Sequence, residues 1–349
     1  MARVLEEGQY ILGPEVNAFE AEFARFLGTK DVISTGNGTD AIELALRAVG
    51  IGRGDIVVTV SNTAVATVAA IELAGASALL VEVDERTLTI SPEHLDRALS
   101  SDKGRGIKAV VIVHLYGQPA DLLVISEICR KHDVLLIEDC AQAHGASVDG
   151  RLVGTWGCAA AFSFYPTKNL GALGDGGAVA TNNEALANRL RQLRTYGWKK
   201  RHVSEEPGMN SRLDSVQAAV LRVKLTYLDA ENARRAAIAD LYTRSLDGLD
   251  LILPPTIVGH RHVFHQYVVR SASRDALAEH LGKVGVETTV LYPVPIHQQP
   301  AYCGRIRVAS ELPITEEAAQ RLLCLPIHPW LSETEAEQVA NAVRKFFNR

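Results

Sequence analysis

A single lysine, Lys168, stands between an aromatic, strand-like segment (residues 162–164) and a glycine-rich stretch (residues 171–177). Earlier in the chain, another apolar segment (residues 134–137) leads into Asp139. A lysine amine in partly desolvated surroundings has a lowered pKa and can act as a nucleophile. An amine that forms a Schiff base and a carboxylate that holds a pyridinium nitrogen are the groups that pyridoxal 5′-phosphate (PLP) needs from a protein. The pair therefore indicates PLP chemistry.

A turn with the sequence Gly-Asn-Gly-Thr-Asp-Ala (residues 36–41) follows one predicted strand and begins a predicted helix. Glycines let the backbone approach a ligand closely, and the first N–H groups of a helix bind phosphate. The same letters fit the fingerprint of dinucleotide-binding dehydrogenases. Those enzymes need an acidic residue at the end of the next strand, but Asp55 precedes that strand (residues 56–60). A phosphate site at Gly38 and Thr39 and a plain strand-to-helix turn both remain open.

The composition argues against several classes of protein. Of the 349 residues, 47% are hydrophobic and 22% charged, as in ordinary globular proteins. No apolar segment approaches the ~20 residues of a membrane span, and the first residues lack a signal-peptide pattern. The net charge is −5, and no long basic cluster indicates nucleic-acid binding. The five cysteines form no CxxC pair and the eleven histidines show no metal-binding spacing. We therefore expect free thiols, no metal and a cytoplasmic location.

Short apolar segments alternate with helical patterns through the first part of the chain. Segments that are apolar at every position are typical of parallel strands buried on both faces. Their alternation with helices predicts an α/β domain with a mostly parallel sheet. The predicted strands are residues 32–34, 56–60, 79–83, 109–113, 134–137, 160–164 and 178–181.

Helical patterns flank this predicted sheet. One helix is predicted over residues 15–27, and a long helical region over residues 214–246 has a predicted break near residues 229–232. The C-terminal part mixes short strands with helices, which is typical of a smaller α+β domain. Its predicted strands are residues 263–270 and 286–290, and its predicted helices are residues 275–281 and 333–346. We therefore predict two domains, residues 1–240 and 241–349.

Three ordered motifs resemble those of the DegT/DnrJ/EryC1/StrS family. They are Gly-Asn-Gly-Thr-Asp-Ala at residues 36–41, Glu-Asp-Cys-Ala-Gln-Ala-His-Gly at residues 138–145 and Phe-Ser-Phe-Tyr-Pro-Thr-Lys-Asn-Leu-Gly at residues 162–171. The resemblance continues through residues 208–214 and 292–297, nearly end to end. It implies a PLP-dependent sugar aminotransferase of fold type I, which is aspartate aminotransferase-like. This fold has a mostly parallel central sheet and a smaller C-terminal α+β domain.

The resemblance also implies roles for single residues. Lys168 would hold PLP covalently and carry the proton in the reaction, and Asp139 would pair with the pyridinium nitrogen. Gln142 would lie beside the 3-hydroxyl group of the ring. The phosphate ligands would be Gly38, Thr39, Ser163 and, from the neighbouring subunit, Asn210. The last of these implies a homodimer with shared active sites.

The second motif contains two more polar residues, Glu138 and His144, whose roles are predicted on other grounds. Strand alternation predicts that Glu138 faces away from Asp139. His144 could carry a proton, but a packing or capping role is favoured.

The implied reaction moves the amino group of L-glutamate to a nucleotide-linked keto-deoxyhexose, with dTDP-3-keto-6-deoxyhexose favoured. Ala64 stands where many relatives have an aromatic residue stacked on the cofactor, and in this it resembles the branch that acts on 3-keto sugars. The stretch at residues 197–201 also resembles that branch. The predicted substrate-binding residues are Tyr165, Lys199, Arg201, Tyr292 and His297, with Lys200 and Arg212 as further candidates for the diphosphate.

Three alternatives belong to the same fold. A 4-keto sugar (C4) aminotransferase stays open, since the sequence does not define the sugar, its stereochemistry or the nucleotide. A PLP-dependent sugar dehydratase would carry histidine in place of Lys168, and is disfavoured. A non-catalytic regulator would need a further DNA- or partner-binding module, for which the sequence offers no separate segment.

Overall fold

The computed structural model describes residues 1–101 and 106–348. The strands are β1 (Asp31–Thr35), β2 (Ile56–Val60), β3 (Ser77–Val81), β4 (Ile107–Val113), β5 (Leu135–Asp139), β6 (Ser147–Val148), β7 (Arg151–Leu152), β8 (Ala159–Ser163), β9 (Gly177–Thr181), β10 (Trp198–Lys200), β11 (Val203–Ser204), β12 (His260–Arg261), β13 (Tyr267–Arg270), β14 (Arg307–Val308) and β15 (Leu322–Leu325). The helices are α1 (Ala2–Glu7), α2 (Pro14–Leu27), α3 (Gly38–Ala48), α4 (Val65–Leu73), α5 (Pro92–Ser101), α6 (Leu122–Lys131), α7 (Glu184–Leu193), α8 (Ser215–Leu225), α9 (Leu228–Leu246), α10 (Arg274–Lys283), α11 (Pro313–Arg321) and α12 (Glu333–Phe347).

The central sheet has eight strands in the order β1-β9-β8-β5-β4-β2-β3-β14. Within this sheet β9 runs antiparallel to both of its neighbours, and the other paired strands are parallel. Strands such as β2 and β8 are buried at every position, because apolar clusters cover both faces of the sheet. The predicted α/β fold with a mostly parallel sheet is thus confirmed.

The carboxyl ends of β2, β5 and β8 lie at one edge of this sheet, since these strands run in the same direction. At this edge the chain leaves β1 and turns into α3, whose N-cap is Asn37. Ligands of open α/β sheets bind outside the carboxyl ends of the strands. The topology therefore brings the chemistry-bearing residues of the sequence motifs to one place.

Two predictions about local structure are wrong. The long helical region is broken at Thr226 and Tyr227, between α8 and α9, and not at residues 229–232. Asp229 and Glu231 lie in the first turn of α9, where acidic side chains favour the start of a helix. Residues 286–290 form no strand and contribute only an isolated bridge between Thr289 and Cys324.

The predicted strand at residues 263–270 is shorter than expected. It begins only at Tyr267, because Phe264 has a φ of 43°, outside the extended region. β13 pairs with β15, a strand that the sequence analysis did not identify. The predicted helices at residues 275–281 and 333–346 correspond to α10 and α12, and α12 begins with a capping box between Ser332 and Glu335.

Helix α9 contributes to two apolar cores. Leu228 belongs to one core of the central sheet, whereas Ile238 and Tyr242 pack with β13, β15 and α12. Strand β14, from the C-terminal part of the chain, returns to the edge of the central sheet beside β3. The division into residues 1–240 and 241–349 stays a prediction. In the described part of the chain, no helix combines the length and apolar character needed to cross a membrane.

Candidate active site

A cavity of about 240 Å³ lies at the carboxyl edge of the central sheet. Its walls come from the ends of β2, β4, β5 and β8, from the first turn of α3 and from the loop after β8. The structure thereby brings together residues that are far apart in the sequence. The predicted site residues that line it are Gly38, Thr39, Asp139, Gln142, Ser163, Tyr165 and Lys168.

Asp139 is the last residue of β5 and is 5% exposed. Its Oδ2 accepts a hydrogen bond of 2.8 Å from the Thr67 hydroxyl, and its Oδ1 accepts one of 3.1 Å from the Ala141 N–H. Burial raises the pKa of the Asp139 carboxyl above its ordinary value, although these donors and the Lys168 charge act in the opposite direction. A cationic N–H group in the cavity would therefore be a strongly favoured partner for this carboxylate.

Lys168 lies in the loop after β8 and lines the same cavity. Its backbone N–H donates to the Tyr165 carbonyl oxygen at 2.9 Å, which closes a turn around residues 165–168. Burial lowers the pKa of the Lys168 amine, and the nearby Asp139 charge partly offsets the effect. A lowered pKa increases the fraction of neutral amine, which is the nucleophilic form.

The first turn of α3 forms another wall of the cavity. Asn37 caps the helix by accepting a hydrogen bond of 2.8 Å from the Asp40 N–H. A Cβ atom on Gly38 would lie 2.7 Å from the Ser163 Cβ atom, so only glycine lets this helix start pack against the end of β8. The free N–H groups of the turn and the Ser163 hydroxyl suit an anion such as phosphate.

Gln142 connects the cavity to the C-terminal part of the chain. Its Oε1 accepts a hydrogen bond of 2.7 Å from the Tyr116 N–H, and its Nε2 donates one of 3.2 Å to the Tyr292 hydroxyl oxygen. Burial and the Asp139 charge raise the pKa of Tyr292 to about 12. The Tyr292 hydroxyl is thus neutral at physiological pH and has its own proton free to donate.

Other predicted site residues lie away from this cavity. The His297 ring joins Ser61 at 2.7 Å and Glu316 at 3.0 Å, an arrangement that fixes the turn in which it lies. Asn210 is exposed and bridges to Thr195. Lys199 and Arg201 are exposed on the β10–β11 hairpin. Lys199 Nζ lies 3.4 Å from a carboxylate oxygen of Glu205. These residues do not line the cavity.

The sequence analysis missed two residues that shape the site. Thr67 holds Asp139, and Ser211 holds the turn before α3. The Ser211 hydroxyl donates to Asp40 Oδ2 at 2.6 Å and accepts from the Gly36 N–H at 2.8 Å. No local pattern indicates either contact, since Thr67 and Ser211 meet their partners only through the tertiary fold.

Glu138 faces away from the cavity, which confirms the expectation from strand alternation. With His114 and Cys140, it forms the one cluster of potential metal ligands in the described residues. However, Glu138 accepts three backbone N–H groups, from Gly154, Trp156 and Gly157. His114 Nδ1 accepts a hydrogen bond from Ala120, so its Nε2 carries the proton that faces Glu138 at 3.2 Å. The cluster holds a turn in place, and these hydrogen bonds take up the lone pairs of Glu138 and His114 that a metal would need.

His144 is fully buried and packs against two aromatic rings. Its ring centroid lies 5.6 Å from that of Phe162 and 5.8 Å from that of Phe164. Burial, together with the Lys168 charge, lowers the pKa of His144 to about 3. These contacts favour the packing role over that of a proton carrier.

Known proteins resemble this chain over nearly its whole length. The sequence profile of the DegT/DnrJ/EryC1/StrS aminotransferase family matches residues 1–344. The dTDP-3-amino-3,4,6-trideoxy-alpha-D-glucose transaminase of Streptomyces venezuelae is 45% identical over 350 residues, which cover 100% of this chain and 91% of that protein. The dTDP-3-amino-3,6-dideoxy-alpha-D-galactopyranose transaminase of Aneurinibacillus thermoaerophilus is 45% identical over 346 residues, which cover 99% and 94%. Among solved structures, S. venezuelae DesV in complex with a ketimine intermediate matches with a TM-score of 0.96 at 44% identity, over 100% of this chain and 93% of that one.

Proposed function

The chain belongs to the DegT/DnrJ/EryC1/StrS aminotransferase family, and we propose that it moves the amino group of L-glutamate to C3 of a nucleotide-linked keto-deoxyhexose. One observation carries the proposal. Lys168 and Asp139 line a single cavity together with the N-terminal turn of α3. An amine, a buried carboxylate and an anion site are thus combined, and this is the combination of groups that a phosphorylated pyridine aldehyde requires.

The cofactor of this aminotransferase is PLP, and the residues around the cavity fit it. We propose that Lys168 holds it covalently and that the Asp139 carboxylate accepts a hydrogen bond from its ring nitrogen. Gly38, Thr39 and Ser163 would hold the phosphate, and Gln142 would lie at the 3-hydroxyl side. When bound, PLP accepts the electron pair that is released at the substrate carbon.

The residues of the chain supply positioning and proton transfer. The pKa of Asp139 is raised because burial penalises its isolated charge. A ring N–H group that faces the carboxylate would offset this cost in free energy. Lys168 Nζ, with its lowered pKa, would move the proton to and from the reacting carbon. Tyr292 would keep Gln142 oriented through their hydrogen bond.

Amination at C3 is supported by the names of the two relatives, which are both transaminases of dTDP-linked 3-amino sugars. The small side chain of Ala64 lines the cavity, which fits the resemblance of this position to the branch that acts on 3-keto sugars. We therefore propose a dTDP-3-keto-6-deoxyhexose as the acceptor. Amination at C4 is the second outcome that the experiment below distinguishes.

We also propose that two subunits complete each active site. Lys168 is the one basic residue among the described residues that line the cavity. A nucleoside diphosphate carries negative charges that need further cations. The exposed residues Lys199, Arg201 and Asn210 do not line the cavity of their own subunit. Contact with a neighbouring subunit would bring such groups to it.

The five free cysteines fit a reducing compartment, and we propose a cytoplasmic enzyme.

The experiment that tests this function is a panel of dTDP-, UDP- and GDP-linked 3-keto and 4-keto deoxysugars, each incubated with L-glutamate. Mass spectrometry of the products, with NMR to locate the amine, reads the position of amination. We expect the 3-amino dTDP sugar as the main product. Exclusive amination of 4-keto sugars would overturn the C3 assignment, and formation of 2-oxoglutarate without any amino sugar would overturn the proposed acceptor class.

A further inference from the structure

A chain of buried hydrogen bonds begins at the residue that follows Lys168. Asn169 Nδ2 donates to Asn232 Oδ1 at 2.8 Å and to the Val263 carbonyl oxygen at 3.0 Å. Asn232 Nδ2 donates in turn to the His144 carbonyl oxygen at 2.8 Å. Asn169 is 5% exposed and Asn232 is 2% exposed. The network is therefore shielded from water. A polar group left unpaired in such a buried position costs free energy.

His265 completes the network and fixes its direction. Its Nδ1 lies 3.1 Å from Asn169 Oδ1. Since an amide oxygen has no proton to donate, Nδ1 of His265 must be the donor. The two protons of Asn169 Nδ2 already face two oxygens, so the opposite orientation of this amide would place like groups against each other. Burial and the Lys168 charge keep the pKa of His265 well below its ordinary value, which leaves the ring neutral.

The network joins three parts of the fold to the loop that carries the lysine. Asn232 lies in α9, His144 follows β5, and Val263 and His265 precede β13. The backbone of Lys168 itself is held on its other side by the bond from its N–H to the Tyr165 carbonyl oxygen. Among the residues that the structure describes, the Lys168 amine has no hydrogen-bond partner. The peptide that carries the amine is therefore fixed, whereas the amine is left available.

More distant contacts hold the rest of this loop. Lys224 Nζ donates to the Gly171 carbonyl oxygen at 2.6 Å, and the Leu173 N–H donates to Gln217 Oε1 at 2.8 Å. Both contacts lie further from Lys168 along the chain and nearer the surface than the Asn169 network. Asn169 is thus the side chain that fixes the backbone directly beside the lysine.

We propose that Asn169 is a positioning residue for Lys168, and that Asn232 acts through it from α9. Their shared network sets the path of the backbone so that the amine enters the cavity opposite Asp139. The proposal rests on the proposed function, in which Lys168 holds the cofactor. Through Asn169, residues of α9 and of the segment before β13 would thus help to set the position of the reactive amine.

The test compares Asn169→Ala and Asn232→Ala with a matched control, Tyr242→Phe. The control removes one partly buried hydrogen bond of 2.8 Å, from the Tyr242 hydroxyl to the Pro326 carbonyl oxygen, at a distance from the site. Three quantities are measured in each protein. They are the fraction of Lys168 trapped on PLP by borohydride over a series of PLP concentrations, which gives the apparent dissociation constant of PLP, the pH midpoint of the visible absorbance of bound PLP, and the urea unfolding curve without PLP.

We expect all three variants to be less stable without PLP, because each leaves buried polar groups unpaired. In the two asparagine variants alone, the apparent dissociation constant of PLP rises about tenfold and the pH midpoint shifts by roughly half a unit or more. Asn232 is separated from Lys168 by one more hydrogen bond than Asn169 is. The Asn232→Ala variant therefore still tests the proposal if Asn169→Ala does not fold.

Two results would overturn the proposal. The first is parent values of trapping and midpoint in both asparagine variants, with stability losses like that of Tyr242→Phe, which would make the network purely structural. The second is a parent protein in which borohydride traps no PLP on Lys168. That result would overturn the proposed function, and this inference with it, so the two failures are distinguishable.

Discussion

The Thr67 hydroxyl donates a hydrogen bond of 2.8 Å to Oδ2 of Asp139 across 72 residues of sequence. Thr67 lies in the first turn of α4 and Asp139 at the end of β5, so the bond joins two neighbouring walls of the cavity. Together with the Ala141 N–H, it fixes both oxygens of the carboxylate. The orientation of Asp139 is therefore set by the protein before any ligand binds.

Replacing Thr67 by valine tests this orientation. Thr67→Val removes a donor from a buried carboxylate, which raises the pKa of Asp139 further and loosens its side chain. We expect a loss of about tenfold in kcat, typical of a buried charged group that loses one hydrogen bond. The control is Thr59→Val, since Thr59 is buried but its hydroxyl has no partner in the described structure. Steady-state kinetics with equal losses in both variants would contradict the assigned role.

Replacing Lys168 by alanine tests the central assignment. Lys168→Ala removes both the covalent attachment and the group that moves the proton. We expect no visible absorbance from covalently held PLP and a loss in kcat of at least about 10³-fold. Lys283→Ala, at an exposed lysine in α10, serves as the control. A Lys168→Ala protein that aminates a keto-sugar nucleotide at the parent rate would refute the assignment.

The buried charge of Asp139 predicts a dependence of stability on pH in the cofactor-free protein. Since the pKa of Asp139 is raised above its ordinary 3.8, the folded chain holds this proton to higher pH than the unfolded chain does. Stability is therefore lost as the pH rises from about 3.8 through the folded-state pKa. Asp139→Asn lacks this ionisation.

Urea unfolding of the cofactor-free parent and Asp139→Asn proteins between pH 4 and 8 measures this difference. We expect the free energy of unfolding of the variant to gain on that of the parent as the pH rises. With PLP present, the parent should gain more stability than the variant, because only the carboxylate pairs with the ring nitrogen. A difference that is constant with pH would mean that the carboxyl does not ionise at an unusual pH.

The bond between Gln142 and Tyr292 predicts a moderate effect on catalysis. Tyr292→Phe leaves Gln142 Nε2 without its acceptor and removes a hydroxyl beside the cavity. We expect kcat to fall about tenfold. The pKa of Tyr292 is raised to about 12, so the pH profile should keep its shape below pH 9. A profile that loses a limb in this range would instead assign Tyr292 to proton transfer.

Shared active sites predict complementation between two inactive variants. One is Lys168→Ala, and the other combines Arg201→Glu with Asn210→Asp. If each site takes residues from both subunits, a mixed dimer contains one site with neither defect. After co-expression in equal amounts, activity should return to about a quarter of the parent value, because about half of the dimers are mixed. Size-exclusion chromatography checks the dimer, and a co-expressed mixture without activity would argue against the sharing.

The strands of the central sheet could be predicted closely because their signal is local. The segment at residues 56–60 is apolar and β-branched, and β2 has these bounds in the structure. The pairing of Lys168 with Asp139 in one cavity could also be anticipated, since Asp139 ends one strand of the sheet and Lys168 follows another. Parallel strands direct their carboxyl ends to one edge.

Contacts made at long range could not be predicted in the same way. Thr67 lies in an apolar helix whose sequence gives no indication of a polar partner. Residues 286–290 include β-branched side chains, yet only Thr289 pairs, in an isolated bridge with Cys324, and tertiary context overrides their strand propensity. The ring of His297, a predicted substrate-binding residue, bonds Ser61 and Glu316 in this chain, and no local pattern indicates these two partners. A histidine in a sequence predicts a polar interaction, but it does not identify the partner.

Strand β14 consists of Arg307 and Val308 alone, yet it covers the outer edge of β3. An open sheet edge exposes N–H and C=O groups that other chains can pair with. Because β14 follows β3 much later in the sequence, this edge of the sheet is covered only once the C-terminal part of the chain has folded onto it. A polypeptide that terminates early would therefore present β3 as a template for strand pairing between molecules. Two residues of the C-terminal part thus protect an edge of the sheet that carries the strands of the candidate active site.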